Sequence, residues 1–424
     1  MGNYSRTNSD QHGLGGPVTI TSPYFQQRDI WLRAGEELSF PNLDPNGPQE
    51  IGFSPNENFI SFGRRVNAYL AYVKPVEESY EEKLHVRRYS VVSKVLFEKH
   101  VARGVLYHRH GIPRVAMATK EIILSTGAFI TPILLIKSGI GSKQELEDAK
   151  VKPVVVLPQV GNNLQDRLSV SLSPFTVTDL SATWNMDRNL SFNDIDQLLY
   201  EGKGRAIFTG TAGYAYILSD RAKKENQNWP DLQIGFAFQM RNANALRCNV
   251  GLGRPYSRGN LRFNTSATSL LDNNLPIIEP RYFTHPDDIG RVLEGIEFCL
   301  KVMEGTHAFK SIGTKYAGEP IAECRDTIFR SRNYWACYIE HRASSMSFLT
   351  STCAMGRLHD RDGSVVDSKL RVHGVKRLRI IDASIMPSIT NANTASPVIV
   401  IAEKTAASII DEHKYPDNSP IRKP

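Results

Sequence analysis

The sequence has few cysteines and no pattern of them that would bind a metal. It contains five cysteines among 424 residues, and none stands in a C-x-x-C pair or at a zinc-ligand spacing with histidine. A zinc site is therefore not expected. The odd number leaves at least one thiol free. Cys324 and Cys337 could pair across a loop, and the sequence leaves that pairing open.

Long apolar runs and clustered charge are also missing. The most apolar run near the carboxyl terminus, residues 397–402, is closed by Glu403 and Lys404 and is too short to span a bilayer. The first ten residues are polar, which is not typical of a signal peptide. The net charge is +7, and the basic pairs that contribute to it are scattered along the chain. We therefore expect no nucleic-acid partner. The short apolar runs likewise predict no membrane span.

The composition is ordinary for a soluble globular protein, and the length predicts two or more domains or one two-part enzyme. Hydrophobic residues make up 41% and charged residues 22% of the chain. Residues 91–98 and 101–109 alternate as the two strands of a hairpin do, and residues 232–238 predict a further strand. Residues 287–303 carry the apolar spacing of an amphipathic helix.

The stretch from Gly127 to Gly141 is the most informative part of the chain. The β-branched and apolar residues 121–126 before it predict a buried strand. Thr131-Pro132 is a plausible helix start, since proline suits the first helical position. Open α/β sheets hold nucleotide cofactors at small-residue turns that follow a strand. The segment therefore predicts a strand, a turn and a helix beside a cofactor.

A second strand and helix are predicted near the carboxyl terminus. Residues 378–382 have the pattern of a buried strand, and a loop runs from there to Ser396. Ser396 suits the N-cap position of a helix that starts at Pro397. The amino terminus of such a helix would stabilise a negative charge placed near it.

Several motifs, in the same order, resemble those of the glucose–methanol–choline (GMC) family of FAD-dependent alcohol oxidoreductases, in its insect-like branch. The resemblance covers nearly the whole chain. The motifs that carry it are residues 12–19, Gly63-Arg64-Arg65, residues 127–141, residues 257–263, residues 352–356 and residues 378–387.

The resemblance implies an α/β fold with an α+β part. An incomplete FAD-binding Rossmann-like domain would be joined to a substrate domain with an antiparallel sheet. Residues 1–80 would supply a substrate-side and flavin-facing segment, 81–170 an FAD-binding segment, 171–335 the substrate domain and 336–424 a second FAD-binding segment. The implied activity is oxidation of CH–OH groups of small alcohols or sugars, by hydride transfer to FAD.

The resemblance also implies which residues would meet the cofactor. Val92 would contact the adenine through its backbone, and Gly127 would lie on the turn near the cofactor. Asp382 and Ala383 would sit at the flavin end, together with Asn393, Ala395 and the start of the last helix.

The sequence departs from the family pattern where the pyrophosphate would bind. No G-x-G-x-x-G opens the chain, and the nearest spelling, Gly202-Lys203-Gly204, lacks its third glycine. We therefore expect the pyrophosphate loop and a central strand to be missing. FAD affinity should fall severely, and an apolar slot should open in the sheet.

A second departure concerns the proton acceptor that alcohol oxidation requires. Counted back without gaps from Thr352, the position of the catalytic histidine is Phe348, and its histidine or asparagine partner falls at Ala395. His341 matches a different, noncatalytic histidine. Arg167 replaces another usual histidine. The remaining candidates, His359 and His373, are interpreted as ordinary surface residues.

Three interpretations follow from these residues. The chain is a GMC oxidoreductase with FAD, a catalytically inactive relative with a binding role or none, or a truncated form of a longer protein. The third is compatible with either of the others. Substrate identity is not encoded in the variable middle segment.

Overall fold

The computed structural model describes residues 12–13, 15–24, 26–48, 50–77, 79–80, 82–183, 190–207, 209–238, 245–267, 275–357 and 363–414. The chain divides into two compact units, each assembled from three separate segments. The first unit comprises Met1–His85, Leu168–Arg254 and Pro286–Met346, and the second comprises Val86–Arg167, Pro255–His285 and Ser347–Pro424.

Strands and helices are interspersed along the chain. The described strands are β1 (Ile20–Thr21), β2 (Gly52–Pro55), β3 (Asn58–Ser61), β4 (Arg64–Arg65), β5 (Ser90–Glu98), β6 (Val101–Arg109), β7 (Ile112–Met117), β8 (Ile122–Leu124), β9 (Ile140–Gly141), β10 (Val155–Val156), β11 (Leu168–Thr176), β12 (Thr211–Ile217), β13 (Leu232–Phe238), β14 (Ala245–Leu252), β15 (Asn260–Phe263), β16 (Pro276–Glu279), β17 (Lys315–Tyr316), β18 (Ser344–Ser345) and β19 (Leu378–Ile380). The described α-helices are α1 (Gln26–Glu37), α2 (Lys74–Glu77), α3 (Gly127–Lys137), α4 (Lys143–Asp148), α5 (Phe192–Asp196), α6 (Asp220–Lys224), α7 (Pro286–Leu300), α8 (His307–Lys310), α9 (Arg332–Arg342) and α10 (Ala395–Lys414).

The first unit is built on an antiparallel sheet. Its strand order within the described residues is β17-β11-β14-β13-β12-β2, and β18 pairs with β11. Alternate residues of β13, such as Phe236, are fully buried beneath α1. There the Trp31 ring lies 5.6 Å from the Phe236 ring and 4.6 Å from the Phe53 ring, centroid to centroid. Burial of these large rings contributes much of the stability of the unit.

The second unit combines an antiparallel meander with a parallel pair. Strands β5, β6 and β7 form the meander, and β8 pairs in parallel with β19. Residues of α3 such as Leu135 pack with both parallel strands in one buried apolar cluster. The hairpin and the strand pattern of β13 confirm the sequence predictions. The mixed α/β class with an antiparallel sheet is confirmed as well.

The far edge of β8 borders an apolar groove. Among the described residues β8 pairs on one side only, with β19. Ile123 at its centre is 45% exposed. A groove of about 330 Å³ runs beside it, and Val92, Met117 and Leu134 are among the residues that line it. The continuous apolar sequence of β8 is typical of a strand buried on both sides. Whether a missing strand opens a slot here stays a prediction.

The predicted start of α3 at Thr131-Pro132 is wrong. The helix begins at Gly127, so Pro132 lies inside it. Proline has no N–H to donate to the carbonyl four residues earlier, which is that of Ala128. The Thr352 hydroxyl donates to this carbonyl instead, over 2.8 Å. A side chain that is distant in sequence therefore supplies the hydrogen-bond donor that Pro132 lacks.

The last helix also starts earlier than predicted. It begins at Ala395 rather than at Pro397, so Ser396 is inside the helix and is not its N-cap. The Val398 N–H donates to the Thr394 carbonyl over 3.1 Å and closes the first turn. Pro397 is tolerated there because the first N–H groups of a helix have no partner within it.

The structure pairs four of the five cysteines. Cys324 is bonded to Cys337, as the sequence allowed, and Cys248 is bonded to Cys299. Cys353 is free and buried. Among the described helices, none combines the length and the apolar character that crossing a membrane would need.

Candidate cofactor turn and catalytic corner

The turn between β8 and α3 is held by a buried carboxylate from the end of β19. One oxygen of Asp382 accepts hydrogen bonds from the Gly127 N–H at 2.9 Å and from the Thr131 hydroxyl at 2.7 Å. Its other oxygen accepts from the Ser384 N–H at 2.8 Å. Asp382 is 5% exposed. Because β8 and β19 are parallel, their carboxyl ends meet here, which is where α/β sheets bind nucleotides.

The backbone around this turn is fixed from a third segment. The Ser351 N–H donates to the Ala383 carbonyl at 3.2 Å, and the Cys353 N–H donates to the Ser384 carbonyl at 2.9 Å. Burial, followed by the nearby Asp382 charge, raises the pKa of the Cys353 thiol. Cys353 therefore stays protonated and acts as an apolar packing residue.

The turn leaves room for a ligand. Gly127 has a φ of +84°, and apart from its chain neighbours and its own helix no described residue has an atom within 4 Å of the place where a Cβ would stand. Thr126, immediately before it, lines the same groove as Val92 on β5. The structure thus brings Val92 and the Gly127 turn to one groove. A volume of about 330 Å³ lies at the lower end of the usual range for ligand pockets, about 300–1,000 Å³.

The groove beside Val92 fits the adenine end of FAD. That Val92 contacts this end, and that Asp382 and Ala383 lie at the flavin end, both stay predictions. The groove beside Val92 has the size and the apolar lining that a nucleobase requires. The sequence supplies no G-x-G-x-x-G turn for the pyrophosphate.

Asn393 and Ala395 are placed differently from the other predicted cofactor residues. Both are exposed, at the amino end of α10. Within the described residues we find no hydrogen bond from either residue to the Gly127 turn. The structure brings Val92, Gly127, Asp382 and Ala383 together, but it does not join Asn393 or Ala395 to them by such contacts.

A second buried carboxylate fixes the backbone at the predicted catalytic position. Asp166 accepts hydrogen bonds from the Phe348 N–H at 2.9 Å and from the Arg167 N–H at 2.8 Å. Its other oxygen accepts from the Tyr282 hydroxyl at 2.6 Å. The carboxylate is thus already engaged by three donors, and the side chain at the catalytic position is a hydrocarbon ring that accepts no proton.

Arg167 lies beneath that ring. Its side chain is fully buried, and its guanidinium carbon lies 5.6 Å from the centre of the Phe348 ring. This is the distance of a cation–π contact. The positive charge of Arg167 therefore lies under the aromatic ring at the predicted catalytic position.

The three histidines named from the sequence have different surroundings. His341 is exposed on α9. The interpretation of His373 as an ordinary surface residue is wrong, since it is half-buried and its Nε2 lies 3.0 Å from the Ser364 hydroxyl and 3.3 Å from the Gly356 carbonyl oxygen. His359 lies outside the described residues.

Sequence reasoning missed the residues that frame both places. These residues are Thr131, Asp166, Tyr282 and Thr352, and each contacts a segment that is distant in sequence. For example, 116 residues separate Tyr282 from Asp166, and 251 separate Thr131 from Asp382. No local pattern distinguishes such residues. Only Asp382, at the end of a predicted strand, carried a positional signal.

Known families and structures match this arrangement over most of the chain. Two models of the family described as GMC oxidoreductase match residues 16–169 and 255–402. The glucose dehydrogenase [FAD, quinone] of Drosophila pseudoobscura pseudoobscura is 31% identical over 417 residues, which cover 94% of this chain. The chain spans only 64% of the length of that relative.

More distant relatives share the same fold. An oxygen-dependent choline dehydrogenase of Chromohalobacter salexigens is 27% identical, covering 96% of this chain and 72% of the relative. The solved FAD-dependent oxidoreductase from Chaetomium thermophilum superposes with a TM-score of 0.82 at 22% identity, over 96% of this chain and 76% of that one. With the family models on both sides of the middle segment, these matches place the chain in one family: it belongs to the GMC oxidoreductases.

Proposed function

We propose that this chain forms the cofactor-side turn and the substrate sheet of an FAD-dependent oxidoreductase that acts on CH–OH groups of alcohols or sugars. The observation that carries the proposal is the Asp382 carboxylate, which holds the Gly127 N–H and the Ser384 N–H at the carboxyl ends of two parallel strands. FAD, when bound, would supply the acceptor for a hydride from the substrate carbon.

The residues of this chain would have three tasks in that reaction. The open space at Gly127 would admit the cofactor without a steric clash. The groove beside Val92 would exclude water from a bound base. Asp382 would position the turn and would not itself react, because all of its described hydrogen bonds go to the protein.

A second candidate function is binding without turnover, and the residues at the two predicted catalytic positions favour it. Neither Phe348 nor Ala395 accepts a proton. A positioned general base contributes about 10²–10⁴-fold to such a reaction. In this candidate the chain binds FAD or a polar ligand, and oxidation is slower by that factor or absent.

Flavin titration and anaerobic bleaching separate the two candidates. The purified chain would first be titrated with FAD, with flavin fluorescence as the readout, and then mixed without oxygen with glucose, sorbitol or benzyl alcohol. Binding followed by loss of the flavin absorbance supports the oxidoreductase. Binding without bleaching supports the inactive flavoprotein, and no FAD binding at any concentration refutes both flavin proposals.

Restoring the base tests the reason for any inactivity. The double variant Phe348→His with Ala395→His should speed bleaching by about 10²–10⁴-fold if only proton acceptance is lost. Phe329→His, which places a histidine in the first unit, is the matched control and should change nothing. A double variant that folds, binds FAD and stays inactive would show that more of the site has changed.

A further inference from the structure

The sheet of the first unit carries a polar cavity on the face away from α1. Its volume is about 290 Å³. Ser169 and Ser171 of β11, Gln233 of β13 and Arg247 and Asn249 of β14 are among the residues that line it. This volume accommodates a small molecule of about the size of a six-carbon polyol.

The strand register explains why this face is polar. Asn249 lies between Ser171 and Gly235, and Gly251 lies between Ser169 and Gln233. Successive strand residues point to opposite faces, so the buried apolar residues of the same strands, such as Cys248 and Phe236, face the helices. The Tyr214 ring covers Gly235, where an added Cβ would meet a ring carbon at 3.2 Å. The cavity is therefore lined by hydroxyl and amide groups and by glycine backbone, together with the Tyr214 ring, Arg247 and Met346.

Arg247 gives this cavity a positive charge, and no ion pair of its guanidinium is found within the part of the chain that the structure describes. None of the described residues that line the cavity is Asp or Glu. The Nε of Arg247 is buried and has no hydrogen-bond partner among the residues the structure describes. Arg291 in the same unit shows the usual arrangement, because its guanidinium contacts Asp231 at 3.3 Å and Asp288 at 2.5 Å.

An unpaired guanidinium in a concave, half-buried site favours an anionic ligand. Burying a charged group without a partner is costly, and the planar guanidinium matches the two oxygens of a carboxylate. The neighbouring hydroxyl and amide groups can donate to and accept from alcohol groups. Together they select a ligand that carries one carboxylate and several hydroxyls.

We propose that this cavity binds a small polyhydroxy carboxylate, with its carboxylate on Arg247 and its hydroxyls on Ser169, Ser171 and Asn249. Calling this ligand a substrate rests on the proposed oxidoreductase function, whereas its binding needs no flavin. The two can therefore fail separately: flavin bleaching tests the reaction, and binding to the chain without FAD tests the site.

The experiment compares two probes that differ at one end. D-gluconate and sorbitol are both six-carbon polyols, and only gluconate has a carboxylate. Calorimetric titration of the full chain without FAD, at low ionic strength, should give an affinity for gluconate at least 10-fold above that for sorbitol. Raising the salt concentration should weaken gluconate binding and leave sorbitol binding unchanged.

Variants locate the binding in this cavity. Arg247→Gln should remove the preference for gluconate, and Arg247→Lys should keep part of it. Arg332→Gln is the matched control, because Arg332 is 56% exposed and its charge is paired with Glu297. Equal binding of the two probes, no binding of either, or gluconate binding that survives Arg247→Gln would each overturn the proposal. If Arg247→Gln does not fold, the probe pair and the salt dependence on the unaltered chain still decide it.

Discussion

The backbone at Gly127 and the backbone at Phe348 are each held by a buried carboxylate that accepts several hydrogen bonds. The two places differ in what borders them. Asp382 accepts from the Gly127 and Ser384 N–H groups and from a hydroxyl. Asp166 accepts from the Phe348 and Arg167 N–H groups and from a hydroxyl. At the turn, the frame borders open space. At the corner it carries an aromatic ring over a buried cation.

This difference shows that the position of the backbone and the chemistry of the side chain are set independently at these two places. A buried carboxylate with three donors specifies backbone position, whatever side chain the framed residue carries. Position 348 is thus held as firmly as position 127, and only its side chain lacks a proton acceptor. A histidine placed there would inherit a fixed backbone, which is why restoring the base is a reasonable experiment.

The largest expected effect is at the carboxylate of the turn. Asp382→Ala leaves the Gly127 N–H, the Ser384 N–H and the Thr131 hydroxyl without their acceptor in a buried place. We expect the free energy of unfolding to fall by about 3–5 kcal/mol. Urea unfolding followed by circular dichroism measures it. Glu98→Ala, at a carboxylate whose side chain is 68% exposed, is the control and should cost less than about 0.5 kcal/mol. Equal costs would mean that Asp382 does not hold the turn.

The next effect tests whether Thr352 replaces the hydrogen bond that Pro132 cannot make. Thr352→Val should cost about 1–2 kcal/mol, since it leaves the buried Ala128 carbonyl without its donor. In a Pro132→Ala background the backbone N–H returns to that carbonyl. The cost of Thr352→Val should then fall by at least half, as a double-mutant cycle of urea unfolding would show. Strictly additive costs would contradict the exchange of donors.

The hydrogen bond between Thr352 and Ala128 also shows which features can be predicted from the sequence and which cannot. The hairpin β5–β6, strand β13 and helix α7 were predicted because their apolar periodicity is local. The turn at Gly127 was predicted for the same reason. The start of α3 was not, because its Pro132 is compensated by a residue 224 positions from Ala128. Asp166 and Tyr282, 116 residues apart, were missed in the same way.

A smaller effect is expected at the side chain of the corner. Phe348→Leu keeps an apolar group and the backbone bond to Asp166, and it removes the ring over Arg167. We expect a loss of about 1 kcal/mol in the free energy of unfolding, from lost packing and cation–π attraction. Phe309→Leu, at a fully buried ring, provides the comparison and should cost more. A loss above about 3 kcal/mol at Phe348 would show that its ring, not Asp166, organises the corner.

The smallest effect is a pH dependence at the other end of strand β19. Glu412 of α10 forms an ion pair with Lys369 at 2.9 Å and accepts a hydrogen bond from Arg379 at 2.6 Å. Desolvation raises the pKa of Glu412, but the hydrogen bonds from Lys369 and Arg379 outweigh it and hold the pKa at about 2. Because the folded pKa lies below the ordinary value, the stabilisation is complete above about pH 4.5 and is lost as the pH falls through about 2.

Glu412→Gln should therefore lower stability at pH 7 by about 0.5–1 kcal/mol, since the side chain is partly solvated. The difference from the unaltered chain should shrink as the pH falls from about 4.5 towards 2, as thermal unfolding at a series of pH values would show. Glu403→Gln, at an exposed position of the same helix, should show no such trend. A difference that stayed constant with pH would mean that the carboxylate charge does not tie α10 to β19, and that α10 is held by apolar packing such as that of Ile401.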